Sequence, residues 1–170
     1  MKKILIPGLI AGGFAGIWGC LMCIGGIEVS MSLGMTIGYL TMLIGLTAVF
    51  LAIKRRRDVD QGGVIRFWPA FGLGLAISLV AGIVYALMFE ATLAMFGFDA
   101  FVERMLVMSK EGGATPKEIA EMREFFSGSY ANPLVRILIS IAEMLPVGVL
   151  VSLISAALLR NPRFMPAPVA

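Results

Sequence analysis

The chain contains no histidine, and only two cysteines, Cys20 and Cys23, in 170 residues. Without imidazole the most common general base and metal ligand are missing. Ser/His and Cys/His catalytic pairs and His-built metal centres are therefore excluded. Two cysteines are too few for a disulfide framework. Charge is scarce as well: Asp, Glu, Lys and Arg make up 15% of the residues, where soluble domains carry about 25%. No glycine-rich phosphate-cradling loop leads into Lys-Ser or Lys-Thr, which argues against ATP-driven transport within this chain. The strand-period alternation of a transmembrane barrel is absent too.

What the sequence has instead is apolar length. Hydrophobic residues make up 59% of the chain and the mean hydropathy is +0.93. A chain this small cannot hide that much apolar surface in its own core, so lipid must cover part of it. Four runs, 4–27, 34–53, 67–90 and 136–159, each reach the length of about 20 residues that a spanning helix needs. The first two carry no charge; the third ends on Glu90, and the fourth starts at Arg136 and holds Glu143 within it. The first run is too long for a secretory leader and is read as a retained helix. The expectation is an all-α membrane protein: one membrane domain over 1–170, four transmembrane helices, and an extracytoplasmic amphipathic helical hairpin between helices 3 and 4.

Orientation follows from the basic residues. Lys2, Lys3, Lys54, Arg55, Arg56, Arg57, Arg66, Arg160 and Arg163 fall on one side, and Arg104, Lys110, Lys117, Arg123 and Arg136 on the other. The positive-inside rule places both termini and the 54–66 loop in the cytoplasm. The 28–33 turn and the 98–133 segment then face outward.

Residues 98–133 have helical periodicity. Phe98, Phe101, Val102, Met105 and Leu106 mark one face, and Gly112-Gly113 breaks it. Thr115-Pro116-Lys117-Glu118 has the composition of a helix start with a capping box. Ile119, Met122 and Phe126 form the next face, and Asn132-Pro133 ends the segment. It reads either as a platform for a partner or substrate, or as an amphipathic cap on the bundle or membrane surface. Its acidic excess argues against nucleic acid.

Small residues recur at every fourth position: Gly8, Gly12, Gly16 and Cys20 in the first run, Ala70, Gly74, Ser78 and Gly82 in the third, and Gly148, Ser152 and Ala156 in the fourth. Such ridges let helix backbones approach closely in lipid. They predict intramolecular packing, with a homo-oligomer contact as the other reading.

Glu143 is the most informative ionisable residue. It lies in the fourth run, three residues before Pro146, which cannot donate a backbone bond to the carbonyl of Ala142. A charge at that depth costs about 2.5–3.5 kcal/mol on insertion scales. Glu143 is therefore expected to face the bundle, with Arg136 as a possible partner two turns earlier. It either binds a proton, cation or substrate, or fixes the helix as a hydrogen-bonded structural group. Glu28 and Glu90, near outer helix ends, are expected to reach water. Cys20-Leu21-Met22-Cys23 invites a redox reading, but the outer segment has no second cysteine pair to relay electrons, so small packing residues are the simpler account. Lys54-Arg55-Arg56-Arg57 reads as a topology anchor, with anionic lipid headgroups as a further possible contact.

Several stretches resemble the bacterial membrane family labelled "domain of unknown function 4199". They are Gly38-Tyr39-Leu40-Thr41-Met42-Leu43 leading to Ile53-Lys54-Arg55-Arg56-Arg57-Asp58; Gly62-Gly63-Val64-Ile65-Arg66-Phe67 with Ala70-Phe71; Tyr130-Ala131-Asn132-Pro133; and Glu143-Met144-Leu145-Pro146-Val147-Gly148. The resemblance implies a four-span protein of the bacterial inner membrane. It supplies no activity, cofactor or catalytic residue. The sequence therefore predicts a small non-enzymatic accessory or interaction protein with no cofactor, embedded in the bilayer with a homo-oligomer or membrane-protein partner. An oligomeric transporter or channel using Glu143 near Pro146 is the second reading, and a membrane thiol redox protein a remote third.

Overall fold

A computed structural model describes residues 1–24 and 31–166, the side chains of 22–24 and 31 excepted. Six α-helices make up nearly all of it: α1 (Lys2–Ile24), α2 (Met31–Arg55), α3 (Phe67–Phe96), α4 (Phe98–Glu111), α5 (Pro116–Ser127) and α6 (Pro133–Leu159). No strand occurs among the described residues. Four of the helices, α1, α2, α3 and α6, are long and apolar enough to cross a membrane, so this is a multi-pass membrane protein. Their ends differ from the sequence reading. Met31 already starts α2, which shortens the turn expected at 28–33, and α6 starts at Pro133. α3 runs past Glu90 to Phe96 and stops where Gly97 takes φ +97°, a conformation open to glycine.

α3 lies at the centre of the bundle, packed along its length on α1 and on α6, and α2 closes the ring against both of those helices. Backbone proximity explains this arrangement. A Cβ added at Gly12 would lie 2.3 Å from the Ala81 carbonyl oxygen, and one at Gly8 2.5 Å from Val80 Cγ1. Gly16 meets Met88 in the same way. On the other side of α3 the contact is reciprocal. Gly74 receives Ser152, whose Oγ would lie 2.5 Å from an added Cβ, and Gly148 receives Ser78, whose Cβ would lie 2.5 Å from one. Gly82 faces Ile141 at ordinary contact distance. The two serines donate to carbonyls one turn back on their own helices, Ser78 to Gly74 (2.9 Å) and Ser152 to Gly148 (2.6 Å). Their hydroxyls are thus satisfied without separating the helices. In lipid, where no hydrophobic force draws helices together, such close approach is the main source of association.

Beyond the α3 end, α4 and α5 pack on each other. Thr115 caps α5 as its sequence suggests: its backbone N–H donates to Glu118 Oε2 (2.7 Å), and the Glu118 N–H donates to Thr115 Oγ1 (3.4 Å). A chain of rings ties this region to the bundle. Phe89 of α3 meets Phe101, Phe101 meets Phe126, and Phe126 meets Tyr130, with centroids 5.5, 6.1 and 5.3 Å apart.

Candidate functional site

Among the described residues, charged side chains at three places bear on a site. The first is where α6 begins. The Asn132 side chain accepts from the Leu134 N–H (2.9 Å) and Pro133 opens the helix, so the chain turns sharply there. Arg136, one turn in, points back toward the helix start, as helical side chains do. Its Nη1 donates to the carbonyls of Tyr130 (3.0 Å) and Ala131 (2.9 Å). Its Nε and Nη2 grip both oxygens of Glu90 on α3, at 2.7 and 2.8 Å. The Phe98 ring covers the guanidinium, 4.7 Å from its centroid. Arg136 is 6% exposed. A planar, bidentate and stacked cation of this kind fixes α3, α6 and the Tyr130–Ala131 turn in one geometry.

This arrangement corrects two expectations. Glu90 does not reach for water, because its carboxylate is the partner of Arg136. Arg136 in turn is not the partner of Glu143.

The second place is Glu143 itself, which is exposed on the outer surface of α6 and does not face the bundle. The reason is geometric. The buried positions Arg136, Ser140, Met144, Gly148 and Ser152 follow one another at four-residue steps. Each step turns about 40° around the helix axis, so the interface winds away from the side on which Arg136 sits. At Met144 it lies about 100° around the helix from Glu143. The carboxylate lies with exposed Ala142, Pro146 and Leu150 around it. Pro146 is accommodated inside a continuous α6. Because proline has no N–H, the Ala142 carbonyl lacks its donor one turn on. A carboxyl group and an under-bonded carbonyl thus share one face at mid-span, the eleventh and tenth positions of a 27-residue helix.

The third place is the end carrying both termini. After α2 the chain makes a wider helical turn over Arg56–Asp60, then reverses through Gly62 (φ +63°) and Gly63 (φ +90°). Arg57, part of the run read as a topology anchor, is fully buried. It donates from Nε to Asp58 (2.6 Å), from Nη1 to the Phe164 carbonyl (2.8 Å) and from Nη2 to the Met165 carbonyl. Asp58 also accepts from Lys54 (2.6 Å), and Lys3 pairs with Asp60 (2.6 Å). The basic run therefore divides in function, with Lys54 and Arg57 bound internally and Arg55 and Arg56 left outside that network.

Cys20 continues the small-residue face of α1 and contacts Thr92 Oγ1. Thr92 already donates to the Met88 carbonyl (2.8 Å), so the thiol is the donor. The Cys23 side chain and Glu28 lie outside the described residues. No group of three or more metal-ligating side chains occurs among those described.

The chain belongs to the family described as "protein of unknown function (DUF4199)", whose model matches residues 7–161. No curated protein and no solved structure matches it. The matched range takes in Glu90, Arg136, Glu143 and Arg57 and leaves out Lys2, Lys3 and the Phe164–Met165 carbonyls that Arg57 binds.

Proposed function

We propose that this protein is a non-enzymatic interaction protein of the bacterial inner membrane, and that the outer face of α6 around Glu143 is where its partner docks. One observation carries the reading: a carboxylate exposed at mid-span on an otherwise apolar helix face. Facing hydrocarbon it costs about 2.5–3.5 kcal/mol on insertion scales. A partner helix offering a donor removes that cost and also satisfies the Ala142 carbonyl. Ala142 and Pro146, short side chains flanking Glu143, leave room for that helix to approach.

The termini and the 54–66 loop lie in the cytoplasm in this reading, following the basic residues. The α4–α5 helical hairpin is extracytoplasmic, held to the bundle by its aromatic chain and by Arg136. It presents a rigid surface to a partner outside the bilayer.

Extraction from native membranes in mild detergent tests the docking reading. The wild-type chain is expected to bring down a stoichiometric membrane protein, and Glu143→Leu to lose it while remaining folded at wild-type level. Glu143→Gln, which keeps hydrogen bonding, is expected to retain it. A wild-type chain extracted alone and monomeric, or a Glu143→Leu chain that keeps its partner, sinks the proposal.

Recovery as a homo-oligomer would favour the second reading, an oligomeric transporter or channel. Glu143 lies outside the single bundle, so any path past it needs a second copy to wall it. The thiol redox reading has least support, since Cys20 is engaged by Thr92 in a helix contact.

A further inference from the structure

At the end of the bundle that carries both termini, the first turn of α1, the last turn of α2, the Arg56–Asp60 turn and α3 line an open cavity of about 280 Å³. Four cations line it, Lys2, Lys3, Arg55 and Arg56, against one carboxylate, Asp60. Lys3 already neutralises Asp60 at 2.6 Å. Lys2, Arg55 and Arg56 make no side-chain hydrogen bond or ion pair among the described residues, in contrast to Lys54 and Arg57 beside them. The cavity thus holds three uncompensated positive charges. Its remaining wall is apolar and includes Ile6, Pro7, Val59 and Leu73.

Both halves of this lining matter. A water-soluble anion needs only the cations. An amphiphile needs a cationic rim beside an apolar wall, at the level where spanning helices end, and the cavity lies there. Like charges lining one pocket repel one another, and an anion among them relieves that repulsion. Guanidinium groups also match phosphate oxygens with paired donors.

We propose that this cavity is a binding site for the phosphate headgroup of an anionic phospholipid, held by Lys2, Arg55 and Arg56, with the first acyl carbons against Ile6 and Val59. The site is independent of Glu143 and of any partner there. It gives the basic run a division of labour: Arg57 and Lys54 shape the loop, and Arg55 and Arg56 hold lipid.

Native mass spectrometry of the full chain in detergent, titrated with phosphatidylglycerol or phosphatidylcholine, tests it. The wild type is expected to bind phosphatidylglycerol in preference. A polybasic contact weakens about fivefold per cation removed, so Lys2→Gln/Arg55→Gln/Arg56→Gln is expected to lose on the order of 100-fold in affinity. Removing the same number of charges at the opposite end, Lys110→Gln/Lys117→Gln/Arg123→Gln, is expected to change little. If the triple variant fails to fold, Val59→Glu replaces it. Val59 is exposed, and an acid there is expected to weaken phosphatidylglycerol binding with the bundle intact. Equal affinity for the two lipids, unchanged binding in the variants, or displacement by millimolar inorganic phosphate (which would make a soluble anion the ligand) overturns the proposal.

Discussion

Arg136 spends four of its N–H donors on Glu90, Tyr130 and Ala131. Removing it strands a part-buried carboxylate and two carbonyls together. Arg136→Ala is expected to lower stability by about 3–5 kcal/mol, the usual loss when one partner of a buried pair is deleted. Arg136→Leu/Glu90→Leu is expected to cost less than Arg136→Ala alone. Unfolding of the detergent-solubilised chain by denaturant measures both, and a larger loss in the double variant would show that the pair is not the source of the effect. The sequence places Glu90 near an outer helix end, where it is expected to reach water, and Arg136 at the start of the fourth run as a possible partner of Glu143. It gives no means of joining Glu90 to Arg136, because 46 positions separate them and the contact depends on how α3 and α6 pack. Glu143 was legible as a position and misread as a direction. A residue seven places from Arg136 sits nearly under it on a helical wheel, and only the winding of the α3 contact separates the two. Arg57 was hidden for a plainer reason: two of its three partners are backbone carbonyls 107 and 108 residues away, and a carbonyl leaves no mark in a sequence.

Local rules carried further at the scale of the element. The α5 start was readable because a capping box is built from residues three apart. Its chemistry is testable by titration. The Thr115 backbone N–H, then its hydroxyl, hold the Glu118 carboxyl below the ordinary glutamate range. A depressed folded value means that the cap contributes fully above the unfolded pKa, about 4.3, and is lost as pH falls through the folded value. Fraying at the start of α5, followed by a spin label there, is therefore expected only in the acid range below that value. In Thr115→Ala the Glu118 titration, read by carboxyl carbon NMR, is expected to move up toward the ordinary range; an unmoved titration would remove Thr115 as the cause. The ridges of small residues were equally readable, and the choice among partners was not, because every helix with such a ridge is a possible mate. Since Gly148 abuts the Cβ of Ser78, Gly148→Ala is expected to cost about 1–3 kcal/mol, typical of overpacking. Ser78→Gly in the same chain is expected to recover much of it. Gly13→Ala, with open space around it, is expected to be neutral. If Gly148→Ala and Gly13→Ala behave alike in the same denaturant assay, the close approach is not what holds α3 to α6.

For the whole molecule, lipid made the architecture legible: a spanning helix must be long and apolar whatever it does. What the pattern of spans omitted is that the two chain ends are both fastened to the loop after α2, the first through Lys3 and Asp60, the second through Arg57. Arg57→Ala is expected to release the segment around Phe164 and to open the bond after Arg163 to trypsin. The wild-type chain is expected to resist cleavage there under the same conditions. Equal cleavage in both would mean that Arg57 does not hold the tail. In sealed vesicles of known sidedness, the same digest also reports which membrane face carries this end.

The glycine face of α1 has a consequence for how the chain comes into being. Synthesis delivers α1 and α2 to the bilayer before α3 exists, yet Gly8, Gly12 and Gly16 are shaped for the backbone and side chains of α3. Until residues 67–96 arrive, that face is a groove filled only by acyl chains, and α1 and α2 form a pair waiting for a wedge. Membrane integration and folding are thus separate events for the first half of the protein. A chain interrupted between α2 and α3 would leave in the membrane two inserted helices with an adhesive face open to any other small-residue ridge nearby.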